Sequence, residues 1–405
     1  MQHLAQSPGP EWPLAIKFRF VQADDVPTQE RMSALQPIST QIQQIRIGEP
    51  LPFGICDAEG RLLLAQGQVI HSQGQLQGLL DRGAFIHRDA VAEKLKEIDN
   101  ARPHELPSLW GESSSLVGRV LKATVDKQFE HALERASRPV VALIRRDPDL
   151  AILQVVQPEE GPVTNYANRH AMHSAIAGHL AAERLGWGAD SGKSLFHAAL
   201  TMNLAMSELQ NRLAAQVTPL TALQRQVIHE HPVRCAELLQ AGGVTDSTWI
   251  EAVARHHERP DGSGYPRGST DSHELAQLLN RVDVFTAKLS GRVVRPALAA
   301  DVAVRQLFAA DAKSPYTAAI VKAFGLYPPG CAVRLKSGEQ GIVMRRGDTA
   351  TTPVVAAVTT RSGDQLLRPI RRDTGQAEHA VAAVVPSSSL KVRVPLERLV
   401  HACAA

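Results

Sequence analysis

Imidazoles crowd one quarter of this sequence: nine of its sixteen histidines lie between His170 and His273. Neutral imidazole is the commonest metal ligand and suits borderline first-row cations. Clustering alone is a weak signal, because Ala-rich helices also carry histidine on solvated faces, and His170, His179, His197 and His273 are assigned to such faces. One string says more: HHERPDGSGYPRG, residues 256–268. Adjacent histidines near a helix end point about 100° apart, so both face a cleft only by serving different positions in it. Glu258 either orients an imidazole or stays in solvent. Asp261-Gly262-Ser263-Gly264 reads as a tight turn, with Tyr265-Pro266 a stiff exit from it. A surface loop accounts for the turn but not for the whole string. A second stretch, GADSGKS with Gly192 and Lys193, lacks the G-x-x-x-x-G-K-[ST] spacing of a phosphate loop, since Trp187 stands five before Gly192. It is read as a loop between helices.

The elements that must position these residues are helical. Met172, Ile176 and Leu180 recur at i, i+4, i+8, and Trp249, Ile250 and Val253 precede the histidine pair. Pro232 sits where a helix could begin, and Pro260 where one must end. Before this core, residues 1–40 form a loosely ordered arm rich in Gln, Pro and Ser, with a short strand at 15–21. Residues 41–98 suggest a small α/β module. It holds a hairpin about Asp57-Ala58-Glu59-Gly60, then a helix with Leu76, Leu79 and Leu80 on one face and Gly83 as its stop. Residues 99–115 read as a linker, 116–327 as the helical domain and 328–405 as a β-rich domain. In the last, VRLKSG, QGIVMRR, PVVAAVTT, DQLLRPI and KVRV are separated by turn dipeptides. The expected fold is α+β multidomain: a central all-α bundle flanked by the N-terminal α/β module and a C-terminal β-barrel or meander.

Composition sets the outer bounds. The 405 residues are 44% hydrophobic and 21% charged, an ordinary globular balance. Lys+Arg 44 against Asp+Glu 41 gives a net charge of +3, too even to predict nucleic-acid binding. The longest apolar runs, such as 381–385, fall far short of the ~20 residues of a membrane span. The opening MQHLAQSPGPEW has no basic or apolar leader region, and Cys56, Cys235, Cys331 and Cys403 form no C-x-x-C pair. A cytoplasmic location is expected.

The histidine string resembles the signature of HD-GYP proteins, a bacterial branch of the HD metal-dependent phosphohydrolases that hydrolyse cyclic di-GMP. Other landmarks follow in order over about 150 residues. His173-Ser174 resembles the family's opening His-Ser. Leu220-Thr221 with His231-Pro232 resembles its Leu-Thr…His-Pro block. Asp283 in RVDVFTAKLSGR resembles its later Asp, and Arg292 and Arg295 the basic residues just beyond. The resemblance implies an HD-type bundle and metal ligands at His173, His231, His256, His257 and Asp283. It also implies phosphate contacts at Arg292 and Arg295, and a signature loop at Asp261, Gly262, Gly264, Tyr265 and Pro266.

The sequence departs from the family where hydrolysis is centred. Family members work with two or three iron or manganese ions, bridged by the Asp of an H-D-x-G-K motif. Counting back without a gap, the HD positions fall on Met202-Asn203 and the Lys position on Met206. No histidine in the chain is followed by Asp. A thioether is a poor ligand for such cations, and Asn203 lacks the charge to clamp two of them. Met206 removes the cation that would meet a phosphate. Arg169 stands where some members carry a metal-supporting Glu, and Thr286 replaces a second Asp.

Two readings of the surviving ligands stay open: the remnant of a site for one divalent metal (Fe or Mn), or imidazoles kept to satisfy each other's hydrogen bonds. The expected function is a catalytically degenerate cyclic di-GMP signalling protein. It would act by binding the dinucleotide or a related nucleotide, or by docking a diguanylate cyclase-type partner through the loop around Tyr265. The alternative is an active metal-dependent phosphodiesterase.

Overall fold

The computed structural model describes residues 35–404 apart from 52, 59–60, 66, 88–89, 158–164, 272 and 391. The strand expected at 15–21 lies outside them. The chain divides into two compact units, Met1–Glu93 and Lys94–Ala405.

The first unit is a four-stranded antiparallel sheet. Its strands β1 (Leu35–Pro37), β2 (Ile55–Cys56), β3 (Leu62–Leu64) and β4 (Phe85–His87) lie in the order β1-β4-β2-β3. Strands β2 and β3 pair antiparallel on either side of the turn read from the sequence, whose residues 59 and 60 lie outside the described ones. Helix α1 (Gln73–Asp81) starts where the Ser72 hydroxyl accepts from the Gln75 N–H, and is followed by Gly83 at φ 62°. Its Leu76 and Leu79 join Ile38, Ile55, Ile70 and Ile86 in one core.

The boundary falls inside α2 (Ala90–Asn100). The supposed linker is largely helix. Leu106, Leu109 and Trp110 of α3 (Leu106–Lys122) are buried, and Pro103 and Pro107 sit in first turns, where a missing N–H costs nothing. Then come α4 (Phe129–Arg146), α5 (Pro148–Val156) and α6 (Tyr166–Leu185), the central helix. Small residues along α6, among them Ala171, Ala175, Ala177 and Ala181, allow close packing all round. A Cβ on Gly178 would already stand 3.5 Å from Leu195. Around it run α7 (Ala189–Thr201), α8 (Ser207–Ala215), α9 (Ala222–Ala241), α10 (Ser247–Arg255), α11 (Glu274–Leu289), α12 (Ala300–Ala310) and α13 (Pro315–Phe324). Gly192 and Lys193 lie within α7, not in a loop, and Lys193 pairs with Glu134 at 3.0 Å. Pro232 lies inside α9 rather than at its start. The start is Thr221, whose hydroxyl and Gln224 form a reciprocal cap.

Strands β5 (Ala332–Leu335), β6 (Gln340–Arg345), β7 (Val354–Thr359), β8 (Gln365–Asp373) and β9 (Val381–Val384) make an open antiparallel sheet, order β8-β7-β6-β5-β9. The barrel alternative is therefore set aside. The fifth strand is β9, not KVRV, and α14 (Leu396–Cys403) follows it. Val333, Leu335, Val343 and Val355 share one continuous core with α11 and α13, so sheet and bundle form one unit. No helix among the described residues is long and apolar enough to cross a membrane.

Candidate metal centre

Three imidazoles converge. One ligand nitrogen each from His231, His256 and His257 lies within 4.8 Å of the others. His231 comes from mid-α9; His256 and His257 follow the last turn of α10.

Backbone chemistry fixes which nitrogens face the cluster. Pro232 has no N–H, so it leaves the Ile228 carbonyl, its i−4 partner, unbonded. The His231 Nδ1 stands 2.6 Å from that oxygen and donates to it. The Val253 carbonyl is likewise left over at the end of α10, and His256 Nδ1 donates to it at 2.7 Å. Both rings therefore present bare Nε2 lone pairs, and these face each other at 3.1 Å. Burial pushes the His231 pKa down to about 3, and burial lowers those of His256 and His257 too. A proton is thus a poor bridge between the lone pairs, whereas a cation is a good one. Two nitrogens about 2.1 Å from one ion stand about 3.0–3.4 Å apart at ordinary ligand angles. The donor set fits a divalent metal.

A buried carboxylate adjoins them. Burial, the largest single effect, would raise the Asp283 pKa, but the hydrogen bond from His170 Nε2 at 2.7 Å and the fields of His170, His257 and His256 together bring it below the ordinary carboxylate range. Its charge acts on all three clustered histidines. Beyond His170 a stack leads outward. The Tyr166 ring lies parallel to His170, and the Arg292 guanidinium sits 5.1 Å from the Tyr166 centroid while donating to its hydroxyl. Arg295 is exposed and donates to the Ala287 carbonyl.

The loop after His257 braces itself against this cluster. Glu258 is buried, and its two oxygens accept from the Arg267 and Ser269 N–H groups at 2.8 Å. Neither role read from the sequence is the one it performs. The Asp261 carboxylate accepts from the Ser263 N–H and hydroxyl, Gly262 holds φ 75°, and a Cβ on Gly264 would fall 2.5 Å from the His257 carbonyl. Tyr265 stacks on His257 at 4.5 Å and on His229 at 5.3 Å, closing one side of the cluster; Pro266 follows it.

The segment at the expected HD positions packs beside the same helices. Trp249 of α10 donates to the Thr201 hydroxyl, and the Ala205 N–H donates to the Cys235 sulfur, one turn beyond His231 on α9. Met202 and Asn203, between them, are buried; Met206 is half-buried. Burial pushes the Cys235 thiol up to about 12, so it offers no thiolate.

His170 was assigned to a solvated face, yet it is 1% exposed and is the α6 imidazole that meets Asp283. His179 and His197 are buried as well. His173 is not brought to the cluster: it lines a separate cavity with Arg169 and Met172. One turn of helix separates the two candidates. The available signal was Asp283 itself, which needs a partner, but sequence spacing alone does not say which imidazole faces α11.

The family model described as "HD domain" matches residues 127–318, spanning α4 to α13. This region is an HD domain. The chain is 33% identical over 136 residues to the cyclic di-GMP phosphodiesterase PA4108 of Pseudomonas aeruginosa, covering 32% of each chain. The chain is 29% identical over 217 residues to the cyclic di-GMP phosphodiesterase response regulator RpfG of Xanthomonas campestris, covering 51% of this chain and 55% of that one. The chain thus spans about a third and about half of the length of these relatives. Among solved structures, the HD-GYP-type protein Bd1817 of Bdellovibrio bacteriovorus superposes with a TM-score of 0.47 at 14% identity, covering 71% of this chain and 98% of that one. The HD domain described here is homologous to those of HD-GYP cyclic di-GMP phosphodiesterases.

Proposed function

We propose that this protein is a cyclic di-GMP signalling protein that has lost paired-metal hydrolysis and acts by binding. The observation that carries this reading is a contrast within one site. His231, His256, His257 and the His170–Asp283 pair offer donors for a single divalent cation, while Met202 and Asn203 stand where the resemblance places the residues that would clamp a second. An ion held by the three imidazoles would supply positive charge to a phosphate oxygen. Arg292, steadied by Tyr166, and exposed Arg295 would contribute guanidinium donors to the same phosphates. The Tyr265 ring, stacked on His257, offers an edge for a base or for a partner's side chain.

The intact His170–Asp283 pair favours a second reading, residual hydrolysis at one metal. Calorimetric titration of the full chain with cyclic di-GMP, followed by chromatography of the nucleotide, separates the two. Binding with the dinucleotide recovered intact is expected; steady conversion to a linear product would replace this reading with the second. No heat at high ligand concentration would remove the dinucleotide from the proposal.

A further inference from the structure

The turn between α11 and α12 holds two valines out in water. Arg292 and Arg295 exchange backbone hydrogen bonds at 2.8 and 3.0 Å, which leaves Val293 and Val294 as its tip. The turn is pinned from several sides. The Val293 N–H donates to the Ala214 carbonyl at the end of α8, and the Leu298 N–H to the Lys288 carbonyl. The Arg292 guanidinium donates to the Tyr166 hydroxyl and that of Arg295 to the Ala287 carbonyl. A Cβ on Gly291 would stand 3.3 Å from the Ala297 nitrogen, so the chain passes close to itself at the base of the turn. Held in this way, the tip has no freedom to fold its valines inward, and they keep 58% and 60% of their surface exposed.

The bond to Ala214 sets this tip beside the connection between α8 and α9, residues 216–221. That connection is tied to itself. The Gln216 and Gln224 amides bond each other at 2.8 and 3.2 Å, and Gln216 also donates to the Thr218 and Pro219 carbonyls. It too turns apolar side chains to water: Val217 at 69% exposure, Leu220, and Leu223 in the first turn of α9. Single exposed aliphatics are ordinary, but five on two rigid turns joined by a hydrogen bond point to a contact surface.

The charge around them has one sign. Residues 209–229 and 284–300 contain no Asp or Glu, and carry Arg212, Arg225, Lys288, Arg292 and Arg295. Arg225 and Arg295 bond carbonyls rather than carboxylates, and Arg212 is exposed. A second copy of the chain would set these cations against themselves. A docked helix or strand needs a groove or a sheet edge, whereas these side chains stand out from turns. Aliphatic tips ringed by cations suit a bilayer surface, where the apolar groups enter between headgroups and the guanidiniums meet lipid phosphate.

We propose that the Val293-Val294 turn and the α8–α9 connection dock this protein on an anionic lipid surface, with no need of a metal at the histidine cluster.

The test is flotation of the full chain, in EDTA, with vesicles of phosphatidylcholine alone and of phosphatidylcholine and phosphatidylglycerol in equal parts. Binding to the anionic vesicles only is expected at about 0.1 M salt, with at least about tenfold loss near 1 M, where charges are screened. Val293→Ser with Val294→Ser should weaken it about tenfold, as should Arg212→Glu with Arg225→Glu. The serine variant should keep the parent's unfolding temperature, since both valines are already in water. No binding to anionic vesicles, or equal binding to both kinds, would overturn the proposal. Binding untouched by the serine variant would do the same, because charge alone would then account for it. Binding of poly-glutamate through Arg212 and Arg225 without vesicle binding would assign the face to an acidic protein and overturn it as well. Should the glutamate variant fail to fold, the serine variant and the salt dependence decide the question.

Discussion

At the scale of single residues, the candidate metal centre depends on a proline that supplies no ligand. Pro232 costs its helix about 3 kcal/mol relative to alanine, by removing a hydrogen bond and crowding a carbonyl. In return the freed Ile228 oxygen holds His231 in one tautomer, with Nε2 toward His256. Pro232→Ala would restore an N–H that competes for that oxygen. The variant is therefore expected to unfold at higher temperature and to bind divalent metal roughly tenfold more weakly, as loss of a ligand's supporting partner usually does. Thermal unfolding and a metal titration read the two effects separately, and unchanged affinity would show that the carbonyl does not orient His231. The proline is plain in the sequence, but its role is not. It reads as a helix start until the helix on both sides of it is seen.

At the scale of elements, the loop that follows the histidine pair is rigid because its own side chains satisfy its backbone. Buried Glu258 accepts from two N–H groups nine and eleven residues ahead. Glu258→Ala would leave those donors unpaired, at about 1–3 kcal/mol each. Faster hydrogen exchange at the Arg267 and Ser269 amides is expected, together with loss of the Tyr265 stack on His257. Protection equal to the parent's would mean the loop is held by other contacts. The turn itself was legible, since Asp261, Gly262 and Gly264 have local reasons to be there. Glu258 was not, because its burial follows from a loop folding back over it. The same limit explains the exchange of His170 and His173. Both lie on α6, three residues apart, and only the packing of α6 on α11 decides which one meets Asp283.

At the scale of the molecule, the helical domain and the C-terminal sheet are one body, joined by a shared core and by Arg346 bonding both Asp149 and the Ala323 carbonyl. Turn spacing revealed most of the strands, but β9 and α14 carry weak local signals and owe their places to β5 and β8. Within the sheet Arg372 holds the Glu339 carboxyl below its usual range, at 2.7 Å. A folded pKa below the unfolded one adds stability at neutral pH that is lost as pH falls through the folded value. The parent should therefore exceed Glu339→Gln in unfolding temperature near neutrality, with the gap closing in acid; a gap constant with pH would contradict this. The largest claim concerns the bundle. On the proposed function, its three facing imidazoles hold one ion and the Met202-Asn203 turn holds no second. Elemental analysis of the full chain, saturated with iron or manganese and then desalted, tests this most directly. The account predicts one ion per chain, lost in His231→Ala and raised toward two by Met202→His with Asn203→Asp. Two ions bound by the unaltered protein would contradict it.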